Sequence, residues 1–77
     1  MYEVYGTSDC RFCHEATDML ESFGLPYEYK EIDTSPTAFD EFRQRLPTAR
    51  TVPQIYKNGV HIGSSMEDLT KELRNAA

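Results

Sequence analysis

The two cysteines of the chain, Cys10 and Cys13, are the residues whose type and spacing are best suited to chemistry. A disulfide between them would close a very short loop and restrict the unfolded chain little, which makes it a poor structural crosslink. Two cysteines are also too few for the disulfide framework of a small secreted protein. A redox-active dithiol is therefore a better interpretation of this pair than a stabilising bridge.

The sequence around the pair predicts different surroundings for the two sulfur atoms. A β-rich segment, Tyr2 to Gly6, predicts a strand, and helical periodicity begins just after Cys10. Free N–H groups and the positive end of the helix dipole stabilise an anion at a helix start and lower the pKa of a thiol there. We therefore predict Cys10 as the nucleophile, with the positive charge of Arg11 beside it. Cys13, one turn further and deeper, is predicted to resolve the mixed disulfide.

Two other interpretations of the cysteine pair are open. Cys-x-x-Cys is half of a tetrahedral zinc site, but the chain has no second cysteine pair, and His14 and His61 lack a matching spacing. Only a metal shared between two chains would complete such a site, so we expect no metal. Cysteines are also common as inert core residues. The position at a strand-to-helix junction favours redox chemistry over both.

The elements that must position the pair are predicted from periodicity and turn residues. Strands are expected at Tyr2–Gly6, Tyr27–Ile32, Gln54–Lys57 and Val60–Ile62. Three helices follow the first, second and fourth strands, and their buried stripes are predicted from apolar residues at helical spacing. These residues are Phe12, Ala16, Met19, Leu20 and Phe23; Phe39, Phe42 and Leu46; and Met66, Leu69 and Leu73.

Local signals support these boundaries and the way in which the strands pair. Ser35-Pro36 is a good start for the second helix, and Ser64 with Glu67 has the form of a capping box for the third. Asn58-Gly59 is the preferred type I′ turn of an antiparallel hairpin. The first two strands flank a helix and should be parallel with a right-handed crossover. The prediction is a four-stranded mixed sheet, βαβ followed by ββα, with helices on both faces.

Length and charge limit the possible function. The 77 residues suffice for one domain, expected over residues 1–77. The net charge of −5 argues against a nucleic-acid or anionic-membrane surface. No stretch approaches the roughly 18 apolar residues that a membrane span needs. The first residues have neither the basic nor the apolar region of a signal peptide, so we expect a cytoplasmic location.

With these motifs, the chain resembles the glutaredoxin family over essentially its whole length. The matching segments are Tyr5-Gly6, Cys10-x-Phe12-Cys13, Ala49 to Ile55 with Thr51-Val52-Pro53 at its centre, and His61-Ile62-Gly63. The resemblance implies an α/β, thioredoxin-like fold in a monomer. It also implies a glutathione-dependent oxidoreductase that reduces protein disulfides and glutathionylated proteins, with ribonucleotide reductase as one possible client.

The same resemblance implies which residues would bind glutathione. Pro53 would be cis, and the backbone of Val52, beside Thr51, would pair with the cysteinyl unit as in strand addition. The γ-glutamyl carboxylate would meet backbone N–H groups at the start of the last helix, at Ser65 and Met66. Two residues beside the nucleophile would form the rim of this site, Arg11 and Phe12.

The chain departs from the family pattern at positions that usually meet glutathione. Thr7 stands where many members have Lys, and Asp40 where many have Gln or a basic residue. Arg43 or Arg11 could replace these contacts to the glycine carboxylate. Ser64 replaces the usual second glycine, and a one-residue shift at Glu67-Asp68 is possible. Arg11 itself stands where dithiol members commonly have proline, and Phe12 where they have tyrosine.

Two alternative functions follow from these departures. One is an electron donor that thioredoxin reductase, rather than glutathione, recharges. The other is an iron–sulfur carrier, in which two chains each supply Cys10 and two glutathione molecules complete the ligands. Thr51-Val52-Pro53 and the Ile62-Gly63 turn favour glutathione over thioredoxin reductase as the reductant. The replacement of the motif proline by Arg11 keeps the iron–sulfur carrier open.

Overall fold

The computed structural model of the chain describes residues 1–76 and contains the seven predicted elements in the predicted order. Their bounds are β1 Tyr2–Gly6, α1 Arg11–Ser22, β2 Tyr27–Glu31, α2 Pro36–Arg45, β3 Gln54–Lys57, β4 Val60–Gly63 and α3 Met66–Ala76. Two boundaries differ by one residue from the sequence prediction, since β2 stops before Ile32 and β4 continues to Gly63.

The strands form one mixed sheet in the order β2-β1-β3-β4. β1 and β2 are parallel, whereas β1 with β3 and β3 with β4 are antiparallel, so the predicted fold is confirmed. Tyr5 lies opposite Gln54, and Ile55 lies opposite Gly63. The carboxyl ends of β1 and β4 and the amino end of β3 therefore meet at one end of the sheet. We call this the functional end.

The hairpin between β3 and β4 turns at the residues that the sequence indicates. Asn58 has a φ of 52° and Gly59 a φ of 83°. Both central residues of a type I′ turn need positive φ, which asparagine and glycine adopt more readily than other residues.

One face of the sheet, which we call the apolar face, packs against α1 and α3. Its buried side chains form a single cluster of Tyr2, Val4, Ala16, Leu20, Ile55, Leu69 and Leu73. Strand residues of this cluster alternate with residues that point to the opposite face, as pleated strands require. Burial of this cluster fixes α1, and with it the cysteine pair, on the sheet.

The opposite face packs against α2 through a smaller, aromatic cluster. Tyr5, Phe42 and Tyr56 are buried together, and the Tyr5 ring meets the Phe42 and Tyr56 rings at centroid distances of 5.6 and 5.8 Å. Such tilted and edge-on contacts suit aromatic rings. Helices thus cover both faces of the sheet, as predicted.

Beside these rings lies a network of charged side chains, and we call this side of the sheet the ionic face. Lys30 Nζ contacts Glu3 Oε2 at 2.7 Å and also binds Glu41. Arg45 Nη1 donates to Glu3 Oε1 at 3.0 Å, and the Tyr5 hydroxyl donates to Glu41. Burial opposes the charge of Glu3, but the hydrogen bonds from Lys30 and Arg45 outweigh it and hold its pKa below the ordinary value.

Three phenylalanines assigned to buried helix stripes are exposed, and that prediction is wrong for them. The exposed fractions are 61% for Phe12, 59% for Phe23 and 42% for Phe39. Phe23 is the C-cap of α1, beyond its last helical residue, so the helical period no longer applies there. Phe39 lies beneath the guanidinium of Arg43, 5.6 Å from the ring centroid, rather than in the core.

Candidate active site

The cysteine pair lies at the functional end, where β1 leads into α1. Cys10 is the N-cap of α1 in extended conformation, with φ −84° and ψ 108°. The backbone N–H of Cys13 donates to Cys10 Sγ at 3.2 Å, and the N–H of His14 donates to the Cys10 carbonyl at 3.1 Å. The Cys10 sulfur therefore takes the position that a serine or aspartate cap usually takes, where the helix stabilises an anion.

The two sulfur atoms differ in exposure, as the sequence predicts. Cys10 and Cys13 form a disulfide with a Cα–Cα distance of 5.2 Å. Cys13 is fully buried, whereas Cys10 is only half-buried. A partner molecule can therefore approach the Cys10 sulfur but not the Cys13 sulfur.

Gly6, the last residue of β1, makes room for the buried sulfur. A Cβ atom at this position would lie 2.8 Å from Cys13 Sγ and 2.5 Å from the Tyr29 hydroxyl. Both distances are shorter than van der Waals contact, so any other residue would push the helix or the tyrosine away. The spacing of residues could not show this requirement, although Gly6 belongs to one of the matching segments.

The loop between β1 and Cys10 is held by side chains that the sequence analysis did not identify. Asp33, just after β2, accepts hydrogen bonds from the Ser8 hydroxyl at 2.7 Å and from its N–H at 3.1 Å. The bonds from Ser8 hold the pKa of Asp33 below its ordinary value of 3.8. The ring Nε2 of His14 donates to the Ser8 carbonyl at 3.1 Å. This loop is thus tied to both β2 and α1.

Tyr29 adds a further tie from β2. Its hydroxyl donates to the carbonyl of Thr7, and its ring packs against the His14 ring at a centroid distance of 5.0 Å. Burial raises the pKa of Tyr29 to about 12, with the nearby carboxylates contributing in the same direction. The phenol therefore stays protonated, and remains a hydrogen-bond donor, throughout the pH range in which thiol exchange runs.

The second part of the site is the segment before β3. The Val52–Pro53 bond is cis, as the resemblance implies, and Pro53 is buried. The antiparallel register that pairs Tyr5 with Gln54 places Pro53 beside Gly6, and thus next to the cysteine pair. Among residues 1–76, the backbone N–H and C=O of Val52 make no hydrogen bond. They are available to an extended ligand.

Gln54 holds the segment before β3 in place through hydrogen bonds of its side chain. Its buried amide Nε2 donates to the carbonyl of Thr51 at 3.0 Å and contacts the Thr51 hydroxyl at 3.3 Å. Its Oε1 accepts a hydrogen bond from His61 Nε2 at 2.8 Å. Gln54 and His61 both belong to the matching segments of the sequence, but the sequence does not show that one supports the other.

The third part of the site is the start of α3, where the predicted capping box is displaced by one residue. Ser65 Oγ, not Ser64, accepts the helical cap bond, from the Asp68 N–H at 3.1 Å, and the carboxylate of Asp68 accepts from the Ser64 N–H at 3.0 Å. A Cβ at Gly63 would lie only 2.2 Å from Asp68 Cβ, so the glycine admits this carboxylate. The capping box is therefore formed by Ser65 and Asp68 and not by Ser64 and Glu67.

The displaced cap leaves donors free at the helix start. Within the described part of the chain, the N–H groups of Ser65 and Met66 have no hydrogen-bond partner. Ile55 lies opposite Gly63, so these N–H groups belong to the same functional end as Val52. Such groups at a helix N-terminus suit a carboxylate.

The arginines near the site differ in how much freedom they have. Arg11 is exposed, and its Nε lies 3.9 Å from Glu15 Oε1, a weak surface pair. Arg43, one of two suggested substitutes for the missing glutathione contacts, instead donates through Nη1 to the Ala49 carbonyl at 2.6 Å. Arg43 therefore holds the loop after α2. Arg50, which the sequence analysis left without a role, lines the groove beside Val52.

Residues 1–76 contain no helix long and apolar enough to cross a membrane. Within the same range, no three His, Cys, Asp or Glu side chains are grouped so that they could hold a metal ion.

A mixed four-stranded sheet, with helices on both faces and a Cys-x-x-Cys pair at the start of α1, defines a thioredoxin-like protein. A buckwheat glutaredoxin in complex with glutathione superimposes with a TM-score of 0.76 at 22% identity, covering 97% of this chain and 69% of the other. A wheat glutaredoxin superimposes with a TM-score of 0.72 at 29% identity, covering 96% and 70%.

Sequence comparison then specifies the family. The glutaredoxin family model matches residues 2–62. Glutaredoxin 3 of Escherichia coli K12 is 34% identical over 61 residues, which are 79% of this chain and 72% of that protein. The chain belongs to the glutaredoxin family and is a thiol–disulfide oxidoreductase.

Proposed function

We propose that the chain reduces protein disulfides and glutathione mixed disulfides through Cys10 and Cys13, with glutathione as its reductant. The observation that carries the assignment of roles is the difference in exposure between the two sulfurs. A fully buried Cys13 cannot meet a client, so the first attack belongs to Cys10. The N–H of Cys13, 3.2 Å from Cys10 Sγ, supports a thiolate there.

The exchange proceeds in two displacements. The Cys10 thiolate attacks one sulfur of the client disulfide, the client S–S bond breaks, and one client thiolate leaves. The Cys13 thiolate then attacks Cys10 Sγ, which forms the Cys10–Cys13 disulfide and releases the second client thiolate. Two electrons pass from the dithiol to the client. Glutathione returns them, because one molecule attacks Cys10 Sγ and a second takes the first away as oxidised glutathione.

Free backbone groups support glutathione as the reductant. The N–H and C=O of Val52 would pair with the cysteinyl unit, and the N–H groups of Ser65 and Met66 would receive the γ-glutamyl carboxylate. Thr51 and Pro53 shape the Val52 segment, while the exposed Arg11 and Phe12 would form the rim. The clients would be disulfide-containing or glutathionylated proteins in the cytoplasm, and ribonucleotide reductase is one that fits this chemistry.

The test is a glutathione-coupled assay on a glutathionylated peptide, with wild type, Cys10→Ser and Cys13→Ser. Cys10→Ser should abolish turnover, because the accessible nucleophile is gone. Cys13→Ser should retain substantial turnover, because a second glutathione can attack the glutathionyl sulfur held on Cys10. The reverse ranking of the two variants would refute the assignment of roles.

A second arm replaces glutathione and its reductase by thioredoxin reductase. Thr7 stands where many relatives have Lys, and this weakens one expected contact to glutathione. Faster turnover with thioredoxin reductase than with glutathione would overturn glutathione as the reductant while leaving the cysteine roles intact. A visible absorbance band after anaerobic purification would instead indicate the iron–sulfur carrier.

A further inference from the structure

Charge is unevenly distributed between the whole chain and the region beside Val52. The chain carries a net charge of −5. Two adjoining grooves nevertheless have arginines and no acidic residue in their walls. The first, of about 170 Å³, is lined by residues that include Thr7 and Val52. The second, of about 570 Å³, is lined by Pro47, Thr48 and the two arginines that both grooves share, Arg43 and Arg50.

The two arginines in these walls are not neutralised by the protein itself. Arg43 donates only to backbone carbonyls, and its guanidinium is fixed over the Phe42 ring at 5.2 Å. Arg50 is exposed and makes no hydrogen bond or ion pair with any residue in 1–76. The other basic residues on this side of the sheet, Lys30 and Arg45, both pair with Glu3. The grooves therefore present one fixed and one free positive charge.

The position of the grooves relates them to the exchange reaction. The first groove reaches Thr7, whose carbonyl accepts a hydrogen bond from the Cys10 N–H at 3.4 Å, and Val52, whose backbone is free. A chain attached to Cys10 and extended along Val52 would pass over Arg50, two residues earlier. The second groove shares Arg43 and Arg50 with the first, so it continues the same basic surface away from Val52.

We propose that the Arg43–Arg50 grooves recognise an acidic segment, Asp or Glu residues, next to the disulfide of a protein client. This inference rests on the proposed exchange reaction and adds no chemical step to it. The carboxylates of the client approach the free guanidinium of Arg50, which can give planar, two-pronged recognition of a carboxylate, while the fixed positive charge of Arg43 adds to the attraction. The contact is at the surface, so it favours the right client and its rate of encounter rather than the chemistry at Cys10.

The first experiment measures binding without exchange. The oxidised protein is titrated into fluorescent peptides in which serines replace the client cysteines, with either two aspartates or two asparagines beside them. The aspartate peptide should bind about fivefold tighter at low salt, as expected for one or two exposed ion pairs. Arg50→Gln should remove this preference. Arg74→Gln, which removes an exposed arginine on α3, should retain it. Equal binding of the two peptides by wild type would overturn the proposal.

The second experiment separates this proposal from the proposed function. Reduced protein is mixed with the corresponding cysteine peptides in their disulfide form, and the rate of peptide reduction is measured. Arg50→Gln should slow the aspartate peptide about fivefold and leave the asparagine peptide unchanged. An equal effect on both peptides, or an effect on glutathione turnover alone, would contradict an acidic client. Failure to reduce either peptide, with the binding preference intact, would count against the exchange reaction and not against the grooves.

Discussion

The two faces of the sheet are held by different forces, although the same strands supply both. On the apolar face, seven buried side chains join α1 and α3 to β1 and β3 with no charge among them. On the ionic face, three aromatic rings share the space with Lys30, Glu3, Glu41 and Arg45. The cysteine pair belongs to a helix of the apolar face, while Arg43 belongs to the helix of the ionic face.

Because of this difference, the cysteine pair and the proposed client-binding grooves depend on different forces. Hydrophobic burial depends little on salt or on moderate changes of pH, so the geometry around Cys13 is expected to be constant. Ion pairs and hydrogen bonds to carboxylates respond to both. Changes of pH or salt should therefore affect α2 and its grooves before they affect the position of the cysteines.

The largest expected effect is on the apolar face. Leu20→Ala removes a fully buried side chain between α1 and the sheet, and should lower the free energy of unfolding by about 2–5 kcal/mol. A domain this small has little stability to spare, so much of the variant should unfold in mild urea. Val60→Ala, on an exposed residue of β4, is the control and should change stability by less than about 0.5 kcal/mol. Similar losses of unfolding free energy for Leu20→Ala and Val60→Ala would show that burial on the apolar face is not what stabilises the fold.

A smaller effect is expected when the ionic face loses its central cation. Lys30→Met leaves Glu3 with Arg45 and Glu41 with Tyr5, and should lower the free energy of unfolding by about 1–2 kcal/mol. The control is Lys71→Met, which removes an exposed lysine that makes no ion pair within residues 1–76. Urea unfolding of both variants checks the prediction. A loss as large as that of Leu20→Ala would show that the faces do not differ.

The pH dependence of stability should distinguish the two faces directly. Hydrogen bonds from Lys30 and Tyr5 hold the pKa of Glu41 below its ordinary value of 4.5, and Glu3 shifts in the same direction. The stability that these carboxylates contribute is therefore present above about pH 4.5 and is lost as the pH falls through the lower pKa of the folded state. Wild type should lose stability more steeply than Lys30→Met between about pH 5 and 3. If the free energies of unfolding of wild type and Lys30→Met, measured in urea, fell in parallel over this pH range, the two carboxylates would not be the source of the pH dependence.

The smallest effect on global stability is expected from the hydrogen bonds between Ser8 and Asp33, which lie outside both faces of the sheet. Asp33→Asn weakens the acceptor of the Ser8 hydroxyl and N–H, in an exposed position. The Ser8 amide should exchange its hydrogen faster, with little change in the urea midpoint. Asp40→Asn, on the exposed side of α2, should leave the Ser8 amide unchanged. A large fall in the midpoint of Asp33→Asn would place this loop among the main determinants of stability.

Local signals in the sequence predicted most of the fold and the position of Cys10 at the start of α1. The strand-to-helix transition placed Cys10 at the N-cap, and Asn58-Gly59 identified the hairpin. What local signals could not provide was the choice between equivalent patterns. Ser64–Glu67 and Ser65–Asp68 have the same capping spacing, and the space above Gly63 decides between them. That space is created by the packing of α3 against β4, which no local pattern contains.

The side chains that hold the loop before Cys10 could not be predicted from the sequence for the same reason. Asp33 and Ser8 are 25 residues apart in sequence, and the contact between Tyr29 and Thr7 spans 22. Parallel pairing of β1 with β2 brings these residues together, and only the observed register shows which side chains meet. Phe23 is exposed because it is the C-cap of α1, where the helical period no longer applies. The role of Gln54 required knowledge that its side chain points inward.

The unequal exposure of the two cysteines also makes the reduced protein suited to site-selective labelling. A bulky maleimide reaches the sulfur at the N-cap of α1 and is excluded from the one beneath Gly6. Since the chain has only these two thiols, a single fluorophore or spin label can be attached without mutation. Such a label would block the exchange proposed for Cys10, and it would report the non-covalent approach of a partner to the start of α1.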